Sequence, residues 1–164
     1  MIDLIVLDVD GCLTDGRIYY TDAGEEVKAF SVKDGLGISA WVRMGKKVAI
    51  ITGRRSKIVE RRARELGVTH LHQGIKDKKT LLASIVEEEK LAWEQVAAIG
   101  DDWNDLGMLQ SVGWSFTPCD GAEPIKKRVH TILESRGGRG AVREMIDRIL
   151  EKDGLESSME ALWR

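Results

Sequence analysis

Short apolar runs separated by helical patterns organise this chain. The runs are Ile2–Leu7, Val48–Ile51, Val68–Leu71, Val96–Ile99, Gly113–Phe116 and Val129–Leu133. Their length and β-branched content predict buried strands. Between them, apolar residues recur at helical spacing. Ile38, Trp41 and Val42 mark one helix. Ile58, Val59, Ala63 and Leu66 mark a second, which Gly67 stops. Leu81, Leu82, Ile85 and Val86 mark a third, with Glu87–Glu89 on its wet side, and Ala141 to Leu150 marks another. The alternation predicts an α/β fold, a doubly wound, Rossmann-like parallel sheet with helices on both faces.

One segment breaks the rhythm. In GRIYYTDAGEEVKAFSV, two β-prone runs, Arg17–Tyr20 and Glu26–Val32, flank Asp22-Ala23-Gly24. This predicts an inserted β-hairpin over about residues 17–32. The expected organisation is one domain, 1–152, followed by a tail, 153–164. In that tail Leu155, Met159, Leu162 and Trp163 fall at helical spacing. Two readings fit it: a short helix docked on its own domain, or an arm that reaches a neighbouring subunit.

Composition narrows the class. With 164 residues, 43% hydrophobic and 32% charged, the chain can bury one real core. A formal net charge of −2 argues against a general nucleic-acid surface. The first apolar run is too short for a membrane span and ends in acids. Cys12 and Cys119 lie far apart, without metal-ligand spacing, which suits a reducing compartment. The expectation is a cytoplasmic protein with no nucleic-acid or membrane partner.

In an open parallel sheet, ligands bind beyond the carboxyl ends of the strands. Asp8 and Asp10 follow the first run, in LDVDGCLTDG. Thr52 follows the second, in ITGRR. Asp101, Asp102 and Asp105 follow the fourth, in GDDWND. The stretch QGIKDKK adds Lys76, Lys78 and Lys79. Acids that converge without a counter-charge repel one another. A hard divalent cation resolves this, and Mg²⁺ takes carboxylates together with water and phosphate oxygens. His70, His72 and His130 lie on or beside predicted strands and read as structural. The set suggests phosphoryl transfer through an aspartate nucleophile, with a second carboxyl two residues on as acid and base. Gly11 lets the backbone turn sharply between them. D-x-D alone is weak, but the four motifs in this order form a specific signal.

DVDGCLTDG, ITGR, Lys78 and GDDWND together resemble the four motifs of the haloacid dehalogenase superfamily of phosphohydrolases. LDVDGCLTDGRIYYTDAGEEVKAFSVKDGLGI, TGRRSKIVERRARELG, QGIKDKK and GGRGAVRE are similar, more closely, to the capless family of 3-deoxy-D-manno-octulosonate 8-phosphate (KDO 8-phosphate) phosphatases. The likeness runs to about Leu150. It implies a hairpin in place of a cap domain, a Mg²⁺ cofactor, a phosphorylated sugar acid as substrate and a homotetramer in which a neighbour helps close the site. It also implies a step in lipopolysaccharide precursor synthesis.

Carried over by motif, Asp8 is the nucleophile and a metal ligand. Asp10 is the general acid and base, and its backbone carbonyl is a second ligand. Asp101 is the third. Thr52 and Lys78 meet the phosphoryl oxygens. One of Asp102 and Asp105 supports the metal shell or Lys78. Arg54, Arg62 and the stretch Ser31, Val32, Lys33, Asp34 and Gly35 match substrate-contact positions, with helix N-terminal amides open to an anion. Arg62 also fits a solvated helix face, and Gly137-Gly138-Arg139-Gly140 fits either a phosphate-type loop or a turn. The related nine-carbon sugar-acid 9-phosphate phosphatases are the alternative, and Arg54 with Glu65 favours the eight-carbon substrate. A non-catalytic oligomerisation module is the other class, and the full motif set argues against it.

Overall fold

The computed structural model describes all 164 residues. β1 (Leu4–Leu7) is followed by the small strands β2 (Tyr19–Tyr20) and β3 (Glu26–Val27), then α1 (Val32–Arg43) and β4 (Lys47–Ile51). Next come α2 (Lys57–Leu66), β5 (His70–His72), α3 (Lys78–Glu88) and β6 (Val96–Ile99). The last third holds α4 (Leu106–Leu109), β7 (Trp114–Thr117), α5 (Glu123–Lys126), β8 (Thr131–Ile132), α6 (Ala141–Asp153) and α7 (Glu156–Ala161).

Six strands form one sheet in the order β5-β4-β1-β6-β7-β8, and every pairing is parallel. The expected doubly wound sheet is present. The strands bury both faces, so their residues alternate between two cores. Ile5, Leu7, Val48, Ile50, Ala97 and Ile99 join Trp41, Val59 and Ile146 from α1, α2 and α6. Leu4, Val6, Ala49, Ile51, Val96 and Ala98 join Leu82, Met108 and Ile125 from α3, α4 and α5. The chain winds outward from β1 through β4 and β5, then returns to β6 on the other side. That reversal opens a crevice at the carboxyl ends of β4, β1 and β6.

Several boundaries differ from expectation: the first strand begins only at Leu4, and the run Val129–Leu133 keeps only Thr131–Ile132 as strand. The run Val68–Leu71 becomes a strand only from His70. Gly67, at φ 72°, closes α2, and the Val68 amide returns to the Ala63 carbonyl at 3.0 Å. Val68 thus belongs to the helix cap rather than the sheet. The hairpin is also shorter than the span 17–32. Only Tyr19–Tyr20 pairs with Glu26–Val27, and Val32 opens α1. The Ser31 hydroxyl accepts from the Asp34 amide at 3.3 Å, so a helix cap replaces the end of the strand.

In the tail, Leu155 and Met159 pack against the core. Arg43 donates to the Leu162 carbonyl at 3.2 Å and lies 4.9 Å over the Trp163 ring. This is the docked-helix arrangement.

Candidate active site

The chain leaves β1 at Asp8 and coils tightly over Val9–Leu13. The Asp8 amide donates to the Ile99 carbonyl at 3.2 Å, and the Thr14 amide to Val9 at 3.0 Å. The coil is thereby tied to β6 and to itself. Gly11 sits at φ 93°. A Cβ there would overlap the Asp101 carboxylate, so only glycine lets the loops of β1 and β6 close on each other.

Asp8, Asp10, Gly16, Thr52, Gly53, Arg54, Asp101, Asp102 and Asn104 line one cavity of about 250 Å³. Asp8 and Thr52 are buried beneath it. The fully buried Lys78, first residue of α3, donates to Asp8 Oδ1 at 2.8 Å and to Asp105 Oδ1 at 2.6 Å. Asp105 also accepts the Asp101 amide at 2.9 Å and the Asp102 amide at 3.3 Å. Asp105 is therefore the acid that supports Lys78, while Asp102 stands at the cavity wall and accepts from the Trp103 amide.

Burial, then the charge of Asp105, lifts the Asp8 carboxyl to about 6, against the pull of Lys78. Burial, then Asp8 and Asp105, lifts Asp101 to about 8. Burial opposes the charge on Lys78, but Asp8 and Asp105 outweigh it and hold its pKa above the ordinary value. A cavity that raises two acids in this way favours a cation between them. Ligand atoms of Asp8, Asp101 and Cys12 lie within 4.8 Å of one another. Burial and the surrounding carboxylates push the Cys12 thiol well up. It stays a neutral, apolar group at physiological pH, so the donors offered are hard oxygens. That donor set fits Mg²⁺.

The predicted substrate residues divide. Arg54 lies at the acid cavity. Arg62 and Val32 line an adjoining groove of about 360 Å³ with Lys28 and Phe30, and the Arg62 guanidinium lies 5.7 Å over the Phe30 ring. Lys33 faces a third, charged hollow beside Arg139 and Arg143. Asp34 departs from expectation. Its side chain is 1% exposed and accepts the Arg143 amide at 2.8 Å, capping α6. Its own amide and that of Gly35 are taken by Ser31. Only the amides of Val32 and Lys33 remain at that helix end, so the open anion site expected over Ser31–Gly35 is narrower.

His70 pairs with Glu89 at 2.6 Å and stacks on His72, which agrees with a structural role. Gly137 and Gly138 press on the backbone of Gly11 and Thr14, and the Gly138 amide donates to the Cys12 carbonyl at 2.9 Å. They serve as a turn against the acid loop. Sequence reasoning passed over Lys28, which donates to Asp10 Oδ1 at 2.7 Å. The available signal was the spacing of Glu26 and Lys28, which puts both on one face of a strand.

Comparisons with known proteins point to one class. A family model described as haloacid dehalogenase-like hydrolase matches residues 36–113. The 3-deoxy-D-manno-octulosonate 8-phosphate phosphatase KdsC of Yersinia pestis is 44% identical over 96% of this chain and 84% of its own length. A probable yrbi family phosphatase from Pseudomonas syringae pv. phaseolica superposes with a TM-score of 0.95 at 41% identity, covering 99% of this chain and 92% of that one. The Moraxella catarrhalis 3-deoxy-D-manno-octulosonate 8-phosphate phosphatase, solved with magnesium, phosphate and KDO, gives 0.93 at 40% identity, with coverage of 98% and 93%. The fold and the acid site define a haloacid dehalogenase-like hydrolase. Within that class, the chain belongs to the family of KDO 8-phosphate phosphatases.

Proposed function

We propose that this protein hydrolyses KDO 8-phosphate to KDO and inorganic phosphate, with Mg²⁺ as cofactor. The observation that carries the reading is the convergence of Asp8, Asp10, Thr52 and Asp101 on one cavity, with the Lys78 ammonium against Asp8. Family membership supplies the substrate and favours it over a nine-carbon 9-phosphate.

An Asp8 oxygen attacks phosphorus as the bond to the sugar oxygen breaks, leaving an aspartyl-phosphate. Asp10 gives a proton to the departing oxygen. It then takes one from the water that attacks phosphorus and frees Asp8. Thr52 donates to a phosphoryl oxygen. Lys78 neutralises charge and holds Asp8 at the attack angle. When bound by Asp8, Asp101 and the Asp10 carbonyl, Mg²⁺ supplies positive charge against the phosphoryl oxygens. Arg54, at the cavity wall, and Arg62, one groove further out, suit the sugar carboxylate.

Assembly as a homotetramer is part of the proposal. Ile18, Tyr19, Tyr20 and Val27 on the hairpin, with Val32 and Leu36 on α1, leave large apolar side chains exposed, which supports burial against other subunits. The two free cysteines support a cytoplasmic location.

Phosphate release from KDO 8-phosphate and from a nine-carbon sugar-acid 9-phosphate, with and without EDTA, tests the reading. EDTA-sensitive preference for the first is expected, with turnover abolished in Asp8→Asn. Preference for the second overturns the substrate, and full activity in Asp8→Asn overturns the nucleophile. Light scattering of Ile18→Asp/Tyr20→Asp tests assembly, since an unchanged tetramer would show that other surfaces hold it.

A further inference from the structure

The hairpin reaches the acid cluster through Lys28, just after β3. The Lys28 side chain is 2% exposed. Its ammonium lies 2.7 Å from Asp10 Oδ1 and 2.9 Å from Glu26 Oε1. Arg54 closes the group more loosely, at 3.8 Å from Asp10 and 3.6 Å from Glu26. The arrangement repeats the one around Lys78, which lies between Asp8 and Asp105 at 2.8 and 2.6 Å. Thus the two aspartates of Asp8-Val9-Asp10 diverge, and each meets a buried lysine that a second carboxylate holds in turn.

A buried ion pair is a poor way to gain stability, because desolvation cancels much of the attraction and apolar side chains do as well. What it does supply is orientation. The Asp10 side chain makes one hydrogen bond, and Lys28 is its donor. Without it, a carboxylate beside an open cavity would sample several rotamers.

We propose that Lys28 is a positioning residue for the reaction: it holds the Asp10 carboxylate at the angle from which it meets the leaving oxygen and then the attacking water. The hairpin thereby takes part in catalysis as well as in any contact between subunits. This rests on the role of Asp10 proposed above.

The test compares wild type, Lys28→Met, Lys28→Met/Glu26→Gln and Lys28→Arg. The paired variant removes the carboxylate that Lys28→Met would strand, which protects folding. Melting temperature and light scattering are recorded for each. With KDO 8-phosphate, kcat of the Met variants should fall by about tenfold to 10²-fold, the range expected when a reacting group is misplaced. KM should move by less than about threefold, and Lys28→Arg should recover most of the loss. p-Nitrophenyl phosphate separates the two halves of the reaction, because its leaving phenolate needs no proton. Rapid mixing should show a fast first release followed by a slow steady state in the Met variants. A kcat within about twofold of wild type, or no rescue by arginine, overturns the proposal. Wild type that turns over p-nitrophenyl phosphate but not KDO 8-phosphate removes the substrate reading instead, and the burst still tests Lys28. An Asp10→Ala variant with undiminished kcat removes the role of Asp10, and that of Lys28 with it.

Discussion

Asp105 ties Lys78 to the loop that follows β6, and Asp105→Ala is the perturbation that tests how much this is worth. The substitution deletes the second partner of Lys78 and the acceptor of the Asp101 amide, at 2.6 and 2.9 Å. None of Asp105 is exposed, so water has no path to replace the carboxylate. Breaking a buried pair costs about 3–5 kcal/mol, and the lower end applies because Lys78 keeps Asp8. Orphaning a buried amide adds about 1–3 kcal/mol. Asp105 also repels Asp8 and Asp101, and relief of that repulsion offsets part of this, so the expected loss is about 3–5 kcal/mol, a large part of the roughly 5–15 kcal/mol that stabilises a domain. At about 2–4 °C per kcal/mol for a chain of this size, the melting temperature should fall by about 6–20 °C. Asp105→Asn keeps one oxygen for the Asp101 amide but sets its NH2 against the Lys78 ammonium, so it should lose less than the alanine variant, which leaves the amide without an acceptor and opens a cavity as well. Urea titrations followed by tryptophan fluorescence, at one protein concentration and in EDTA, measure both. A loss below about 1 kcal/mol in the alanine variant, or equal losses in the two, would refute the reasoning.

Two further outcomes are expected. Asp8 and Asp101 have folded pKa values of about 6 and about 8, raised from 3.8 by burial first and neighbouring charge second. A carboxyl raised on folding binds more protons in the native state, so its contribution destabilises as pH rises, absent below about 4 and complete above about 8. In EDTA, Asp101→Asn should therefore gain in melting temperature over wild type between about pH 5 and 8, and Mg²⁺ should reverse the gap; a constant difference would contradict the cause assigned to these shifts. In Gly137→Ala, the new Cβ would overlap the Gly11 carbonyl oxygen and push the acid loop out of place. Stability should drop by about 1–3 kcal/mol and kcat should fall by more than KM rises, whereas wild-type kcat would show that the loop tolerates displacement.

The sequence alone determined the sheet, the hairpin and the ends of strands where the acids stand. Those follow from local patterns: apolar runs, helical periodicity, a glycine stop at Gly67 and acids placed just past Leu7 and Ile99. Asp8, Asp10, Thr52 and Asp101 were legible because a parallel sheet gathers whatever follows its central strands. Choosing between Asp102 and Asp105 required the fold, since only the approach of α3 shows which carboxylate meets Lys78, 27 residues away in sequence. The burial of Asp34 was hidden for the same reason, because its partner, the Arg143 amide, lies 109 residues on. Lys28 meets Asp10, 18 residues earlier, only because the hairpin folds back over the acid loop. Periodicity reports which way a side chain faces its own element. Which charge it meets depends on long-range packing of separate elements, and that packing sets the desolvation and the geometry on which the chemistry turns.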